Sequence, residues 1–282
     1  MTGVIAFPVH HSLSPEMHNA AFQAIGLDLV YVPFNVHPDN LEIAIGGIRA
    51  LGFTGVNITI PHKEQVIGYL DWVSEDARRI KSVNTIHNSD GVLKGYSTDG
   101  PGFIRALETA GKTPRNAKTV VLGAGGSARA TAYALAMNGA DVTVANRTLS
   151  RAGELADLLN SALGSKEIRA VGLDGEEARE AVKEADLLVN CTSVGMHPHP
   201  DAQPIPTEWL HSKLFVFDQI YNPWETNLLK AAKAVGAETA NGIKMLIFQG
   251  AISFEIWTGV EAPINAMEEA VLAAAKRREL LR

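Results

Sequence analysis

The chain has 282 residues, 46% hydrophobic and 20% charged, enough for a sizeable core in one large domain or two ordinary ones. A formal net charge of −6 gives no support to a nucleic-acid-binding surface, and no apolar run approaches the roughly 18 residues of a membrane span. The single cysteine, Cys191, excludes an intramolecular disulfide and suits a reducing, cytoplasmic setting.

Met1-Thr2-Gly3-Val4-Ile5-Ala6-Phe7-Pro8 has no basic segment ahead of its short apolar stretch, so it reads as a buried first strand and not as a signal peptide. Residues 3–7, 29–34 and 55–60 are rich in Val, Ile and aromatics and read as strands. Residues 15–25 and 39–51 carry apolar residues at helical spacing. Ser14 followed by Pro15 offers a hydroxyl cap and a proline at the first helical position. Residues 84–87 and 92–96 read as short strands joined by the turn Asn88-Ser89-Asp90-Gly91. From about residue 115 the alternation continues: strand 118–122, helix 126–138, strand 141–145, helix 150–163, then strands 168–173, 186–191 and 214–219. Cys191 ends the apolar run Leu187-Leu188-Val189-Asn190 and is expected to be a small buried residue, not a nucleophile. Residues 242–258 and 261–281 read as helices.

Strands alternating with helices argue for an α/β fold with parallel sheets and crossover helices. The expected organisation is a substrate-binding and catalytic α/β domain over residues 1–102 and 243–282, to which the C-terminal helices return. A doubly wound, Rossmann-like nucleotide domain is expected over residues 103–242.

Gly123-Ala124-Gly125-Gly126-Ser127-Ala128 follows strand 118–122 and opens a helix, the G-x-G-x-x-G/A form with Ala128 in the third position. The small residues permit a tight turn, close approach of backbone to a pyrophosphate, and packing of helix on strand. The helix N-terminus adds N–H groups and a positive dipole end. An acidic residue about 20 positions on usually binds the ribose 2′-hydroxyl of NAD; here stand Asn146-Arg147-Thr148, with Arg151 one turn later. Guanidiniums suit a 2′-phosphate through charge-assisted hydrogen bonds, so the expected cofactor is NADP. The bland alternative is a solvated basic helix start.

On the substrate side, Ser12 and Ser14 put two hydroxyls at the mouth of a helix, where a carboxylate could bind; ordinary capping by Ser14 is equally compatible. Asn57 and Thr59 alternate with Val56, Ile58 and Ile60, so they share one strand face, which leads to Lys63 at the start of the next helix. Asn84 and Asp99 stand at strand ends, where Asp99 could merely cap a helix. These mixed donors and acceptors suggest a polyhydroxylated anionic ligand. The residues alone support an NADP oxidoreductase of a small polar anion.

Taken in order, several segments resemble the shikimate dehydrogenase family over essentially the whole chain. They include Phe7-Pro8-Val9-His10-His11-Ser12-Leu13-Ser14-Pro15, Asn57-Ile58-Thr59-Ile60-Pro61-His62-Lys63, Ser82-Val83-Asn84-Thr85, Ser97-Thr98-Asp99-Gly100 and the Gly123–Ala128 loop. Further on come Asn146-Arg147-Thr148, Asn190-Cys191-Thr192-Ser193-Val194-Gly195-Met196, Asp218-Gln219-Ile220-Tyr221-Asn222-Pro223 and Asn241-Gly242-Ile243-Lys244-Met245-Leu246 through Gln249. The resemblance implies reversible NADPH-dependent reduction of 3-dehydroshikimate to shikimate, in chorismate and aromatic amino-acid biosynthesis. It implies that Ser12 and Ser14 hold the shikimate carboxylate, and that Asn57, Thr59, Asn84 and Gln249 hydrogen-bond the ring and its hydroxyls. Lys63 and Asp99 would form the catalytic pair; the chemistry of an ammonium favours Lys63 over Asp99 as direct proton donor, with the two acting as one unit as the alternative. Thr192, Ser193, Val194, Gly195, Met196 and Gly242 would line the nicotinamide end, with Tyr221 near substrate and cofactor. Two positions depart from the family pattern: Ser97 stands where Asn is usual, and Lys244 where a small residue is frequent.

Rival readings are a quinate/shikimate dehydrogenase using NAD, which the missing ribose-binding acid disfavours, and a catalytically silent NADP-binding sensor, which should have lost Lys63 or Asp99. A metal enzyme is disfavoured because His10-His11 and His197-Pro198-His199, the only close histidine sets, lack further ligands at suitable spacing. The expected partners are small molecules, without nucleic acid or membrane, and a homodimer is left open.

Overall fold

The computed structural model describes residues 1–9, 12–165, 167–278 and 280. The His10-His11 pair and the expected helix end at Leu281 lie outside the described residues. In chain order the elements begin β1 (Thr2–Ala6), α1 (Ser14–Ala24), β2 (Tyr31–Asn35), α2 (Leu41–Ala50), β3 (Gly55–Ile58), β4 (Trp72–Val73), α3 (Glu75–Ile80), β5 (Thr85–Ser89), β6 (Val92–Tyr96) and α4 (Asp99–Thr109). There follow β7 (Lys118–Leu122), α5 (Gly126–Met137), β8 (Asp141–Asn146), α6 (Leu149–Leu163), β9 (Arg169–Gly172), α7 (Glu176–Lys183) and β10 (Leu187–Asn190). The chain continues with β11 (Phe215–Asp218), α8 (Asn227–Ala234), β12 (Glu238–Ala240), α9 (Ile243–Thr258) and α10 (Ile264–Arg277). No helix among the described residues is long and apolar enough to cross a membrane.

The chain divides into two compact units, Met1–Gly102 with Leu246–Arg282, and Phe103–Met245. The first unit holds a six-stranded sheet of order β2-β1-β3-β5-β6-β4. It is mixed, not wholly parallel: β3 pairs antiparallel with β5, and β5 with β6. The reason for the second pairing is local. Asp90 and Gly91 both take positive φ (53° and 86°), the backbone of a tight hairpin turn, which forces β6 to run back along β5. One face of this sheet carries a core that includes Ile45, Ile48, Phe53, Val56, Ile58, Val66, Val83 and Ile86. On α1 and α9 of the same unit, Phe22 stacks on Phe254, and the Trp257 indole donates to the Ile86 carbonyl at 2.9 Å.

The second unit is an all-parallel sheet of order β12-β11-β10-β7-β8-β9. The chain steps outward from β7 through β8 to β9, then returns to β10 on the other side of β7 and steps outward again. The loops that follow β7 and β10 therefore diverge at the carboxyl end of the sheet, the place where open α/β sheets bind ligands. Every residue of Leu187–Asn190 and Phe215–Asp218 is buried, as strands covered on both faces require. The core beneath them includes Val120, Leu122, Leu188, Val216, Leu228 and Leu229.

Three local expectations are corrected. Lys63 is not at the start of an α-helix: residues 61–64 form turns and a 3-10 helix follows at Gln65–Tyr69. Ser14 is the first residue of α1 and not its cap; Leu13 occupies the cap position without a side-chain hydrogen bond, and the Ser12 hydroxyl accepts the Ser14 N–H at 3.2 Å. Cys191 is half-buried, because β10 ends at Asn190 and the cysteine already belongs to the loop beyond it.

Candidate active site

In the first unit the turn after β3 and the N-terminus of α4 bring Lys63 and Asp99 together. Lys63 Nζ lies 2.5 Å from Asp99 Oδ2, and both residues are buried, 8% and 4% exposed. The Lys63 backbone is pinned by its carbonyl, which accepts the Val83 N–H at 2.9 Å. The other Asp99 oxygen, Oδ1, accepts from Asn84 Nδ2 at 2.9 Å. An ammonium and a carboxylate taken out of water are tolerable only when paired and hydrogen-bonded in good geometry; here both conditions hold. The pair places a proton source where a small substrate carbonyl could accept it.

Asn84 is oriented in turn. Its Oδ1 accepts the Thr98 backbone N–H at 2.7 Å, so its Nδ2 must face Asp99. That amide nitrogen has three acceptors within reach, Thr98 Oγ1 at 2.8 Å, Asp99 Oδ1 at 2.9 Å and Gln249 Oε1 at 3.1 Å. A carboxamide has two hydrogens, so the longest contact, to Gln249, is the one most easily exchanged for another acceptor. Gln249 is held by its own Nε2, which donates to the Leu246 carbonyl at 2.8 Å.

Behind this lies a buried polar layer. Asn57 Oδ1 accepts the Tyr31 hydroxyl at 2.8 Å, and Asn57 Nδ2 faces Ser253 Oγ, Thr85 Oγ1 and the Asn84 carbonyl at 3.0, 3.1 and 3.2 Å. Ser253 also meets Thr85 Oγ1 at 2.7 Å. Like Asn84, the Asn57 amide nitrogen thus faces three acceptors with two hydrogens. Thr85, Thr98, Ser253 and Tyr31 were not singled out from sequence as site residues. Ser253 had a signal, one helical turn beyond Gln249 on α9; Tyr31 had none. Ser12 is half-buried and Ser14 buried at the start of α1, and Thr59 is half-buried just past β3. Tyr221, half-buried beyond β11, belongs to the second unit.

In the second unit, Gly123 follows β7 with φ +106°, a backbone that L side chains rarely adopt, so glycine is required there. A Cβ at Gly123 would sit 3.1 Å from Thr192 Cγ2, so the loop after β7 and the loop after β10 touch at the switch point. Gly125 caps α5 without any side-chain hydrogen bond, and a Cβ there would meet nothing within 4 Å. The first turn of α5, Gly126, Ser127 and Ala128, therefore opens behind an uncrowded glycine corner together with Ala124, the shape a pyrophosphate needs. At the end of β8, Arg147, Thr148 and Arg151 are exposed, and Asn146 Nδ2 donates to the Thr148 carbonyl at 2.9 Å, fixing the turn. No carboxylate stands between residues 146 and 151 of the sequence, so nothing in that run repels a 2′-phosphate.

The loop after β10 is ordered by side chains. Asn190 Oδ1 accepts the Thr192 N–H at 3.0 Å and the Thr192 hydroxyl at 2.7 Å. The Thr192 hydroxyl then accepts the Val194 N–H at 3.1 Å. Ser193 and Val194 are exposed, Gly195 is buried with φ +98°, and Met196 is half-buried. Gly242 donates its N–H to the Ile220 carbonyl, and a Cβ there would fall 1.9 Å from the Gln219 carbonyl oxygen; only glycine allows that approach. Lys244 is half-buried and lines a cavity of about 330 Å³ with Trp224, Lys233 and Asn241. His197 and His199 are exposed.

Models of known families match segments of both units. Residues 4–86 match the shikimate dehydrogenase substrate binding domain, 106–200 the shikimate / quinate 5-dehydrogenase model, and 242–272 the shikimate 5′-dehydrogenase C-terminal domain. Among curated relatives, the shikimate dehydrogenase (NADP(+)) of Methanopyrus kandleri is 50% identical over 275 residues, covering 96% of this chain and 94% of the relative. The crystal structure of shikimate 5-dehydrogenase from Thermus thermophilus in complex with NADP(H) and shikimate superposes with a TM-score of 0.86 at 41% identity, covering 97% of this chain and 98% of the other. Quinate dehydrogenase from Corynebacterium glutamicum in complex with NAD gives 0.87 at 36% identity, covering 96% and 98%. With family models matching both units and a relative at half identity over nearly the full length, the chain belongs to the shikimate dehydrogenase family of oxidoreductases.

Proposed function

We propose that this chain catalyses the reversible, NADPH-dependent reduction of 3-dehydroshikimate to shikimate, a step toward chorismate and the aromatic amino acids. The observation that carries this reading is the buried Lys63–Asp99 pair at 2.5 Å, clamped from behind by Asn84.

The first unit, with boundaries near residues 102 and 243, supplies the substrate and proton chemistry. Ser12 and Ser14 hold the substrate carboxylate at the start of α1. Asn57, Thr59, Asn84 and Gln249 take the ring hydroxyls, and Asn57 also holds the Asn84 carbonyl and the Thr85 hydroxyl. The Gly123-Ala124-Gly125-Gly126-Ser127-Ala128 corner takes the pyrophosphate, and Asn146, Arg147, Thr148 and Arg151 the 2′-phosphate of the adenosine half. Thr192, Ser193, Val194, Gly195, Met196 and Gly242 take the nicotinamide half, with Tyr221 beside it. NADPH, when bound, supplies a hydride to the C3 carbonyl carbon.

As that carbon gains the hydride, its oxygen gains charge and must take a proton. Lys63, as an ammonium, stabilises the developing oxyanion and donates one proton, leaving a neutral amine. Asp99 keeps Nζ aimed and balances its charge. In the oxidative direction the neutral amine accepts the hydroxyl proton, so one group serves both directions.

The deciding assay follows reduced-nicotinamide absorbance while purified protein oxidises shikimate or quinate with NADP+ or NAD+. Turnover of shikimate with NADP+ far above the other three combinations is expected. Comparable quinate or NAD+ turnover would replace this reading with the broader quinate/shikimate dehydrogenase, and tight NADP+ binding without turnover would replace it with a sensor.

A further inference from the structure

Asp218, the last residue of β11, is completely shielded from solvent (0% exposed) and stands outside the catalytic pair. Burial pushes its carboxyl up to about 6, against the opposing pull of hydrogen bonds from Thr226, Ile220 and Asn190. These three partners are all donors. The Thr226 hydroxyl donates to Oδ2 at 2.7 Å; the Ile220 N–H and Asn190 Nδ2 donate to Oδ1 at 3.1 and 3.0 Å. A buried carboxylate held only by neutral donors is costly. Its presence calls for a role that needs two acceptor oxygens at one point.

That role follows from donor and acceptor polarity. Because Asp218 can only accept when ionised, it fixes which end of the Asn190 amide faces it: the NH2 end. The Asn190 oxygen is then forced toward the loop, where it accepts both the N–H and the hydroxyl of Thr192. Thr192 in turn accepts the Val194 N–H. Reversing the Asn190 amide would set its NH2 against the Thr192 N–H, donor against donor. On its other side the same carboxylate holds the Ile220 N–H and the Thr226 hydroxyl, and Thr226 caps α8 by accepting the Leu229 N–H. One buried group thus sets the start of loop 191–196 and both ends of segment 219–226.

We propose that Asp218 is a positioning residue that holds these two segments in register for the nicotinamide half of the dinucleotide. The inference rests on the reading above that residues 192–196 and Tyr221 serve that half.

The test compares two probes, NADP+ and adenosine 2′,5′-bisphosphate, which carries only the adenosine half. Asp218→Leu removes both acceptors while keeping the same branching in a bulkier side chain, and Asp218→Asn keeps the shape and one acceptor. Loss of buried hydrogen bonds of this kind corresponds to roughly tenfold or more in an equilibrium constant. The Leu variant is therefore expected to weaken NADP+ about tenfold or more and lower kcat, while adenosine 2′,5′-bisphosphate binding and the KM for shikimate stay within about twofold. The Asn variant should recover most of the loss. If the Leu variant does not fold, Asn190→Ser cuts the same link one residue nearer the loop and should show the same selective loss. Equal weakening of both probes, or of neither, in an enzyme whose wild type turns over, overturns the proposal alone. A wild type that binds neither probe overturns it together with the functional reading beneath it.

Discussion

Replacing Lys63 by Met removes the ammonium while keeping most of the side-chain volume. Two effects follow from the geometry, and they are separable. Turnover loses its proton donor, for which general acid–base catalysis typically accounts for about 10²–10⁴-fold, or roughly 3–5 kcal/mol of barrier. Stability falls for a different reason: the Asp99 carboxylate, 4% exposed, is left with Asn84 as its remaining described partner. Breaking a buried pair from one side typically costs about 3–5 kcal/mol because a charge is stranded. Adding Asp99→Asn to Lys63→Met removes that stranded charge and keeps an acceptor for Asn84. The double variant should regain most of the lost stability and none of the lost rate. The assay is a urea or thermal midpoint for each variant beside initial rates of shikimate oxidation with NADP+. A Lys63→Met enzyme within tenfold of wild type would refute Lys63 as proton donor. A double variant no more stable than the single would refute the stranded-charge account.

Other consequences concern acid stability, cofactor choice and the layer behind the substrate. His18 is buried, with neither ring nitrogen hydrogen-bonded among the described residues. It stacks 4.4 Å from Tyr31, and burial lowers its pKa to about 3. The unfolded chain takes up this proton near pH 6.5 and the folded chain only near pH 3. The neutral His18 thus favours folding in full above pH 6.5, and that contribution drains away as pH falls toward 3, by up to about 5 kcal/mol. His18→Phe should show a shallower loss of stability over that window in denaturant titrations; parallel curves would show that His18 does not titrate as described. Replacing Arg147 and Arg151 together by Ala should raise the Kd for NADP+ by about 10–100-fold, through lost charge-assisted bonds, and leave NAD+ nearly unchanged. Equal effects on both nucleotides in calorimetry would refute the 2′-phosphate clamp. Ser253→Ala strips a partner from Asn57 and Thr85 in the buried layer, and should cost about 1–3 kcal/mol of stability. It should raise the KM for shikimate more than it lowers kcat; an unchanged KM would make this layer purely structural.

The features legible along the chain were those whose cause is local. β7, the glycine corner and α5 stand where strand composition, small residues and helical spacing place them, since each acts within a few residues. The expectation of NADP rests on residue types in one short run, Asn146-Arg147-Thr148 just past β8, where an acidic residue is usual for NAD. The resemblance to the family was likewise carried by short segments in a fixed order. What the tertiary structure decided is which distant residues meet. The antiparallel pairing of β3 with β5 depends on how the chain crosses between them, and periodicity within either strand is silent on direction. Lys63 and Asp99 lie 36 positions apart, Asn190 and Asp218 28, and Asn57 and Ser253 196. Their hydrogen bonds form only because strand order and helix placement put them side by side. The engagement of Asn57 by Tyr31 and Ser253, and the burial of Asp218 among three donors, are properties of that packing. Residue type alone names a donor or an acceptor; burial and the partner's orientation decide whether it meets a ligand or holds another side chain in place.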